Sequence, residues 1–243
     1  EVRYYPLVQL FIVALFIFFT LYSITVRNKA TQNQLWAGMA KETAHQLGTP
    51  VSSLEGWVEM LRESAVDPRT VQEIQKDVDR LKLVSDRFGK IGSKPVLEEK
   101  DLVGQVQTMM EYIRKRATGK VQFVLHEPVT TPLYARISGP LFDWVIENLL
   151  KNALDAMEGK GSITIGIVDH EKEIVIDVTD TGKGIAARNL QKVFKPGFTT
   201  KKRGWGLGLS LSKRIIEQYH QGQLFVRQSE LGKGTTFRIV LRK

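Results

Sequence analysis

The stretch Leu7 to Val26, LVQLFIVALFIFFTLYSITV, carries no charged residue, and only Gln9, Thr20, Ser23 and Thr25 interrupt it with polar groups. At about 1.5 Å per residue, a helix of this length is roughly 30 Å long, the thickness of one bilayer core. Tyr4 and Tyr5 precede it and Tyr22 lies near its far end, where interfacial aromatics are expected. Arg27, Lys29 and Lys41 follow it, whereas only Arg3 precedes it, so the positive-inside rule puts the C-terminal side in the cytoplasm. A signal peptide would have a shorter apolar core and a small-residue cleavage site after it. The expectation is a transmembrane segment with its flank over residues 1–27, seated in the inner (cytoplasmic) membrane, with everything after about residue 27 in the cytoplasm. The chain opens at Glu1 rather than at a methionine, as expected of a piece of a longer protein.

The 243 residues suffice for one large or two small domains, and 25% charged with 42% hydrophobic residues fits a globular composition. With no cysteine, disulfides and thiolate metal sites are excluded. The net charge of +9, from 35 basic and 26 acidic residues, suits a nucleic acid, an anionic membrane surface or ATP phosphates. No nucleic-acid-binding motif accompanies the charge, so membrane and phosphate are the expected partners and nucleic acid is not.

Beyond the apolar run, Ala40, Ala44, Leu47, Val51, Leu54, Val58 and Leu61 fall at alternating steps of four and three, the seam of a bundle helix. His45, Gln46 and Thr49 lie off that seam, where solvent and another domain reach them. Pro50 removes one backbone N–H and releases the carbonyl of Gln46, which predicts a local kink. Val66-Asp67-Pro68-Arg69 reads as a tight connection into a second helix over about Arg69 to Phe88, striped by Val71, Ile74, Val78, Leu81 and Phe88. Two such helices form an antiparallel hairpin over residues 28–92. One hairpin cannot bury both stripes, so a homodimeric four-helix bundle is expected; the alternative packs both helices on the C-terminal domain of the same chain. Residues 93–100, with Ser93 and Pro95, read as a linker, preceded by Gly92.

Residues 101–243 mix the two periodicities. Asp101 is a candidate N-cap for a helix to about Arg116, a second helix is expected over Ser138–Met157, and a third over Leu207–Tyr219. Short strands are expected at 121–125, 133–137, 163–168, 174–178, 224–227 and 236–241. The fold class is therefore α+β: a transmembrane helix, a helical hairpin and an α/β two-layer sandwich.

Four segments of this last domain together suggest an ATP site. In Glu147-Asn-Leu-Leu-Lys-Asn152, Asn148 and Asn152 are four apart and project from one helix face. A carboxamide oxygen suits Mg²⁺, and Lys151 suits phosphate. In Asp180-Thr-Gly182-Lys-Gly184-Ile185 the glycines permit a tight turn, and a buried carboxylate there accepts a hydrogen bond from the exocyclic amine of adenine. Phe194 to Arg203, with Phe198, Thr200 and Lys201, reads as a mobile basic loop whose aromatics clip it shut. Gly204-Trp-Gly206-Leu207-Gly208 leads into a helix whose N-terminal amides suit phosphate. It lacks the GK[ST] ending of a P-loop and follows no βαβ unit. A nucleotide site tethered to an exposed imidazole suggests phosphoryl transfer to His45.

The order of these motifs, together with Gly222, Ser229 and Gly232-Lys-Gly-Thr-Thr236-Phe237, resembles a sensor histidine kinase of two-component systems, over roughly Gln34 to Leu241. The resemblance implies a dimerisation and phosphotransfer hairpin followed by a Bergerat-type ATP-binding domain. It implies His45 as phospho-acceptor, Asn152 as the Mg²⁺ ligand with Asn148 beside it, and Asp180 as the adenine reader in a pocket shaped by Gly182 and Gly184. Lys201 and the Gly204–Gly208 loop would cover ATP, with Ile185, Phe194, Phe198, Thr200, Leu207 and Thr236 around the nucleotide. Thr49 would serve dephosphorylation of the partner, the receiver domain of a response regulator, whose aspartate takes the phosphoryl group. Two other readings stand beside this one: an ATP-binding signalling scaffold with impaired phosphotransfer, and an ATPase of the gyrase or chaperone sort, against which the His45 hairpin argues.

Gln46 departs from the acidic residue more common there in the family. Phosphoryl transfer to imidazole rests on positioning and charge neutralisation, and a free imidazole is largely neutral at pH 7. Gln46 can accept a hydrogen bond from the imidazole ring but brings no charge. Charged hydrogen bonds are roughly twice as strong as neutral ones, so about 1 kcal/mol of transition-state stabilisation is missing. Glu42, one turn earlier, is placed to supply part of it. Gln46→Glu is expected to speed phosphorylation by several-fold to about tenfold, and Glu42→Gln to slow it. Single-turnover phosphorylation at saturating Mg-ATP checks both; a slower Gln46→Glu with an unchanged Glu42→Gln refutes the charge argument.

Overall fold

The structure, a computed structural model, describes residues 5–64, 66–91, 95–117, 119–126, 132–201 and 206–243. Two compact units divide it, Glu1–Ser93 and Lys94–Lys243.

In the first unit, α1 (Tyr5–Arg62) is one continuous helix of 58 residues, roughly 87 Å long at the usual rise. It passes through Pro50 without a break. Its Val8–Arg27 segment, 20 residues with a mean hydropathy of 2.2, is long and apolar enough to cross a membrane. Those apolar side chains are exposed throughout. α2 (Pro68–Ile91) runs back along α1. The reversal is local chemistry. Asp67 caps α2, its carboxylate accepting from the Arg69 N–H at 2.9 Å and its carbonyl from the Thr70 N–H at 3.0 Å, with Pro68 at the first helical position.

The seam uses only part of each stripe. Val51, Val58, Val71 and Val78 are buried against one another, with Leu61 packed on them. Leu54 on α1 and Ile74 and Leu81 on α2 remain exposed, as do Trp57 and Met60. Lys82 pairs with Glu55 at 2.6 Å across the helices, and the Arg62 guanidinium donates to Gln75 Oε1 at 3.1 Å. Ala40, Phe88 and Glu42 have side chains outside the described residues.

The second unit is a two-layer α/β sandwich. β1 (Glu98–Asp101) pairs antiparallel with β3 (Tyr134–Ile137) in a small sheet. The second half of the expected linker is therefore a strand, because Glu98 to Asp101 finds an open partner edge in β3. Asp101 then caps α3 (Leu102–Arg114), accepting from the Val103 N–H at 3.2 Å. The main sheet has the order β2-β4-β5-β7-β6, with β2 (Lys120–His126), β4 (Lys160–Asp169), β5 (Glu173–Asp180), β6 (Gln223–Glu230) and β7 (Gly234–Arg242). β2 and β4 are parallel; the other neighbours are antiparallel.

Strand alternation sets the faces. Ile163, Ile165, Ile174, Ile176, Val178 and Ile239 point into the core. There they meet Leu141, Phe142, Val145, Leu149 and Leu150 of α4 (Gly139–Met157). On the opposite face Asp177 takes two 2.7 Å bonds from Arg238 and one of 2.7 Å from Arg227, linking β5, β7 and β6. Burial pushes the Asp177 carboxyl upward, but the two arginines outweigh it and hold it below the usual range.

α5 (Gly208–Arg214) differs from the single helix expected over Leu207–Tyr219, because Ile215–Tyr219 is a wider π turn. The cause is His220. Its backbone N–H and its ring Nδ1 both meet the Ile215 carbonyl, at 3.2 and 2.9 Å. Nδ1 is therefore the donor, leaving Nε2 to accept from the Ser138 N–H at 3.0 Å, at the start of α4. His220 is a buried tie between α4 and the end of the α5 segment.

Burial holds the His220 ring below its ordinary pKa of 6.5, partly offset by the Ile215 carbonyl. Protonation would also cost the Ser138 bond. Because the unfolded chain binds the proton more tightly, this contribution to stability is present above pH 6.5 and is lost as pH falls from there towards the depressed folded value. Thermal unfolding of the wild type and His220→Gln between pH 7 and 5 is expected to show a steeper acid decline in the wild type. Parallel curves would remove His220 as the cause.

Candidate functional site

The expected nucleotide residues of the second unit gather along α4. Asn148 donates to Ser212 Oγ of α5 at 2.9 Å. A Cβ at Gly208 would overlap the Asn148 carboxamide, so the absence of a side chain there lets the start of α5 close on α4. One turn on, Asn152 is half-buried, and its Oδ1 accepts from the Lys201 ammonium at 2.8 Å. One further turn on, the Ala156 carbonyl accepts from the Lys183 N–H at 3.0 Å, which brings the Asp180–Ile185 turn onto the same helix. Gly182 is buried in that contact; a Cβ there would lie 2.7 Å from the Ala156 backbone.

Asp180 ends β5 and is buried. Its Oδ1 accepts from the Gly182 N–H at 2.8 Å, and the Thr235 N–H also bonds the carboxylate. Burial raises its pKa, while these two N–H groups act in the opposite direction. A carboxylate held this way by its own turn is a fixed acceptor with lone pairs left over. Gly184 needs its glycine, since φ is +72° and a Cβ would overlap the Glu230 carbonyl oxygen. Ile185 donates to Ser229 Oγ at 2.8 Å, and Ser229 reaches Thr235 Oγ1 at 2.8 Å, so the β6–β7 end braces the turn.

Two expectations change. Thr236 pairs with Thr179 (Oγ1 to Oγ1 3.0 Å) on the sheet face opposite to Asp180, because successive strand residues alternate. The residue beside Asp180 is Thr235, one position earlier. Phe194 is not a loose clip: its ring packs edge-on to Phe237, centroids 6.2 Å apart, with the Lys213 ammonium 4.7 Å over it. Phe198 is half-buried, its N–H bonding the Lys195 carbonyl at 3.1 Å, and Thr200 is exposed. Gly206 accepts from the Gly197 N–H at 3.1 Å, tying the two loop ends. The Leu207 carbonyl accepts from the Leu211 N–H and the Ser210 hydroxyl. Gly204 lies outside the described residues. Lys151 is bonded to the buried Glu147 at 2.7 Å. Sequence reasoning named Ser229 and the stretch containing Thr235 only as part of the closing hairpin, and it missed Ser212 and Asp155, the last bonded to Lys201 at 2.6 Å. Only Asp155 had a readable signal, its position three residues after Asn152.

Among the described residues no cluster of three or more His, Asp or Glu side chains could cage a metal. The donor set fits Mg²⁺ nonetheless. That ion is held by one or two protein oxygens plus phosphates and water, and the Lys201 ammonium on Asn152 Oδ1 and Asp155 Oδ2 shows that this spot accepts a cation.

His45 belongs to the first unit. It is exposed on α1, as are Gln46 and Thr49. Ala44, Gly48, Thr49, Ser52 and Ser53 surround it in an open depression. Behind it the buried Ser85 of α2 donates to the Ala44 carbonyl at 3.0 Å.

Residues 140–243 match the family model of the histidine kinase-, DNA gyrase B- and HSP90-like ATPases. Sporulation kinase D of Bacillus subtilis is 28% identical over 88% of this chain and 43% of its own length. The sensor histidine kinase ZraS of Escherichia coli is 32% identical over 84% of this chain and 44% of its own. The chain thus spans less than half the length of each of these relatives. The catalytic domain of histidine kinase ThkA superposes with a TM-score of 0.53 at 28% identity, covering 60% of this chain and 95% of that domain. ThkA in complex with the response regulator protein TrrA shares the fold, with a TM-score of 0.56 at 23% identity, over 89% of this chain and 64% of that one. The match over residues 140–243 makes the second unit an ATP-binding domain of this ATPase class, and along most of its length the chain is similar to sensor histidine kinases.

Asp180→Asn keeps an acceptor oxygen for the Gly182 N–H, so it is expected to lower the melting temperature only modestly while weakening ADP binding at least about tenfold, the cost of mispairing a buried site. Gly184→Ala is expected to lower both, by about 1–3 kcal/mol of stability for a strained φ. Thermal unfolding with ADP titration separates them; a stable, fully binding Gly184→Ala would refute the steric argument.

Proposed function

We propose that this chain is the kinase core of a membrane-anchored sensor histidine kinase. It would bind Mg-ATP along α4, phosphorylate His45, and pass the phosphoryl group to an aspartate of a response regulator receiver domain. The observation that carries the nucleotide half is the convergence of Asn148, Asn152 and the Asp180–Gly184 turn on one face of α4. Asp180 would accept from the adenine amine through its remaining lone pairs, with Gly182 and Gly184 allowing the base close to the backbone. Asn152 would hold Mg²⁺, which supplies charge neutralisation of the phosphates when bound. Lys201 would neutralise phosphate oxygens from the loop side.

His45 supplies the nucleophile. A ring nitrogen forms the new N–P bond to the terminal phosphorus as the bond to the ADP oxygen breaks, and the ring N–H proton leaves to an acceptor. Gln46 can orient the ring as a neutral partner, and Glu42 adds charge one turn away. Thr49, exposed beside His45, is the residue we assign to dephosphorylation of the regulator.

The assembly we infer is a homodimer. Among the described residues, the hairpin's buried hydrophobic side chains are Val51, Val58, Val71 and Val78, while Leu54, Trp57, Met60, Ile74 and Leu81 are exposed. A second hairpin covering them completes a four-helix bundle. The Val8–Arg27 segment would anchor it in the inner membrane, with the remainder cytoplasmic.

Incubation with γ-labelled ATP tests the reading. Acid-labile, base-stable label is expected on the wild type and none on His45→Gln, with Mg-ADP affinity alike in the two. Label that persists in His45→Gln would reject His45 as acceptor, released phosphate alone would indicate an ATPase, and neither would indicate a scaffold.

A further inference from the structure

α4 presents more than its two amides. Asp155 follows Asn152 by three residues, so both side chains leave the helix on one face. The Lys201 ammonium joins them, at 2.8 Å from Asn152 Oδ1 and 2.6 Å from Asp155 Oδ2. The ion pair is accessible from solvent, with Lys201 42% and Asp155 56% exposed. It is thus held without deep burial, and an incoming ion can exchange with it.

The carboxamide oxygen in this contact is the one assigned to Mg²⁺. An ammonium and a divalent ion a few ångström apart repel twice as strongly as two unit charges. One oxygen therefore does not serve both, and the metal must displace the lysine. The displaced ammonium has a new anion at hand in the phosphates that arrive with the metal. The carboxylate of Asp155 resists the exchange, because it bonds Lys201 with full charge where Asn152 offers only a dipole.

We propose that Asn152 and Asp155 form a cation seat that Lys201 fills, making Lys201 an intramolecular competitor of the Mg²⁺–nucleotide complex. Asp155 sets the strength of that competition. Asp155 is thereby a positioning residue: it acts on nucleotide binding through Lys201 rather than by touching the nucleotide. This rests on the nucleotide reading above.

The test is a double-mutant cycle on the full chain in nanodiscs, titrated with Mg²⁺·ADP by calorimetry. The proteins are the wild type, Asp155→Asn, Lys201→Met and the double variant, with Asp155→Ala as a second removal of the carboxylate. Exposed ion pairs of this kind shift equilibria by about two- to fivefold. Asp155→Asn is expected to tighten Mg²⁺·ADP binding by that factor when Lys201 is present and to change nothing when residue 201 is methionine. Raising the salt concentration is expected to shrink the difference. Weaker binding in Asp155→Asn, or the same effect in both backgrounds, overturns the seat and makes Asp155 a direct ligand or a bystander. If the wild type itself fails to bind Mg²⁺·ADP, the nucleotide reading falls first and the seat with it.

Discussion

The seating of α4 on the five-stranded sheet is the interaction on which the second unit depends. Leu141, Phe142, Val145, Ile146, Leu149 and Leu150 are all essentially inaccessible to solvent. Full burial of such side chains is worth about 1.5–3 kcal/mol each, so the helix cannot roll without losing its core. With that face committed, the 3.6-residue period fixes where Asn148, Asn152 and Ala156 point. The amides meet α5 and the basic loop, and the Ala156 carbonyl meets the Asp180 turn. The site inherits its rigidity from apolar packing one side-chain layer away.

Close approach of backbones does the rest. The Asp180 turn sits on α4 because Gly182 has no side chain to hold it off, and on the β6–β7 end because Gly184 has none. α5 reaches Asn148 because Gly208 has none. These contacts leave Asp180 buried yet bonded by Gly182 and Thr235, a carboxylate oriented by its neighbours rather than by a counter-ion. Electrostatics is distributed by face: the arginine-bonded Asp177 lies on the opposite side of β5 from Asp180. The same residue type, three positions apart in one strand, has its pKa moved in opposite directions.

The first unit follows a different logic. Its hairpin is held by a narrow valine seam and leaves His45 at the surface. Ser85, bonded to the Ala44 carbonyl, ties the backbone immediately before His45 to α2. The acceptor role proposed for His45 requires access, and a seam of small branched residues leaves the flanks of α1 open.

Much of this was already written in the chain. The uncharged run from Leu7 to Val26, the seam around Val51 and Val58, and the i, i+4 pair Asn148 and Asn152 follow from helical periodicity alone. Asp101 as an N-cap and the glycines of the Asp180 turn follow from local backbone chemistry. What the sequence could not decide was which partner each open group finds. Glu98 to Asp101 reads as linker until β3 offers an edge. Thr235 and Thr236 are indistinguishable until the register with β5 puts one beside Asp180 and the other beside Thr179. His220 reads as structural or exposed alike until Ser138, 82 residues away, donates to it and the last helical turn widens. Lys201 and Asp155 meet across 46 residues. Local patterns set an element and its face; long-range pairing depends on the closed fold, because only there do distant groups lose water and take each other instead.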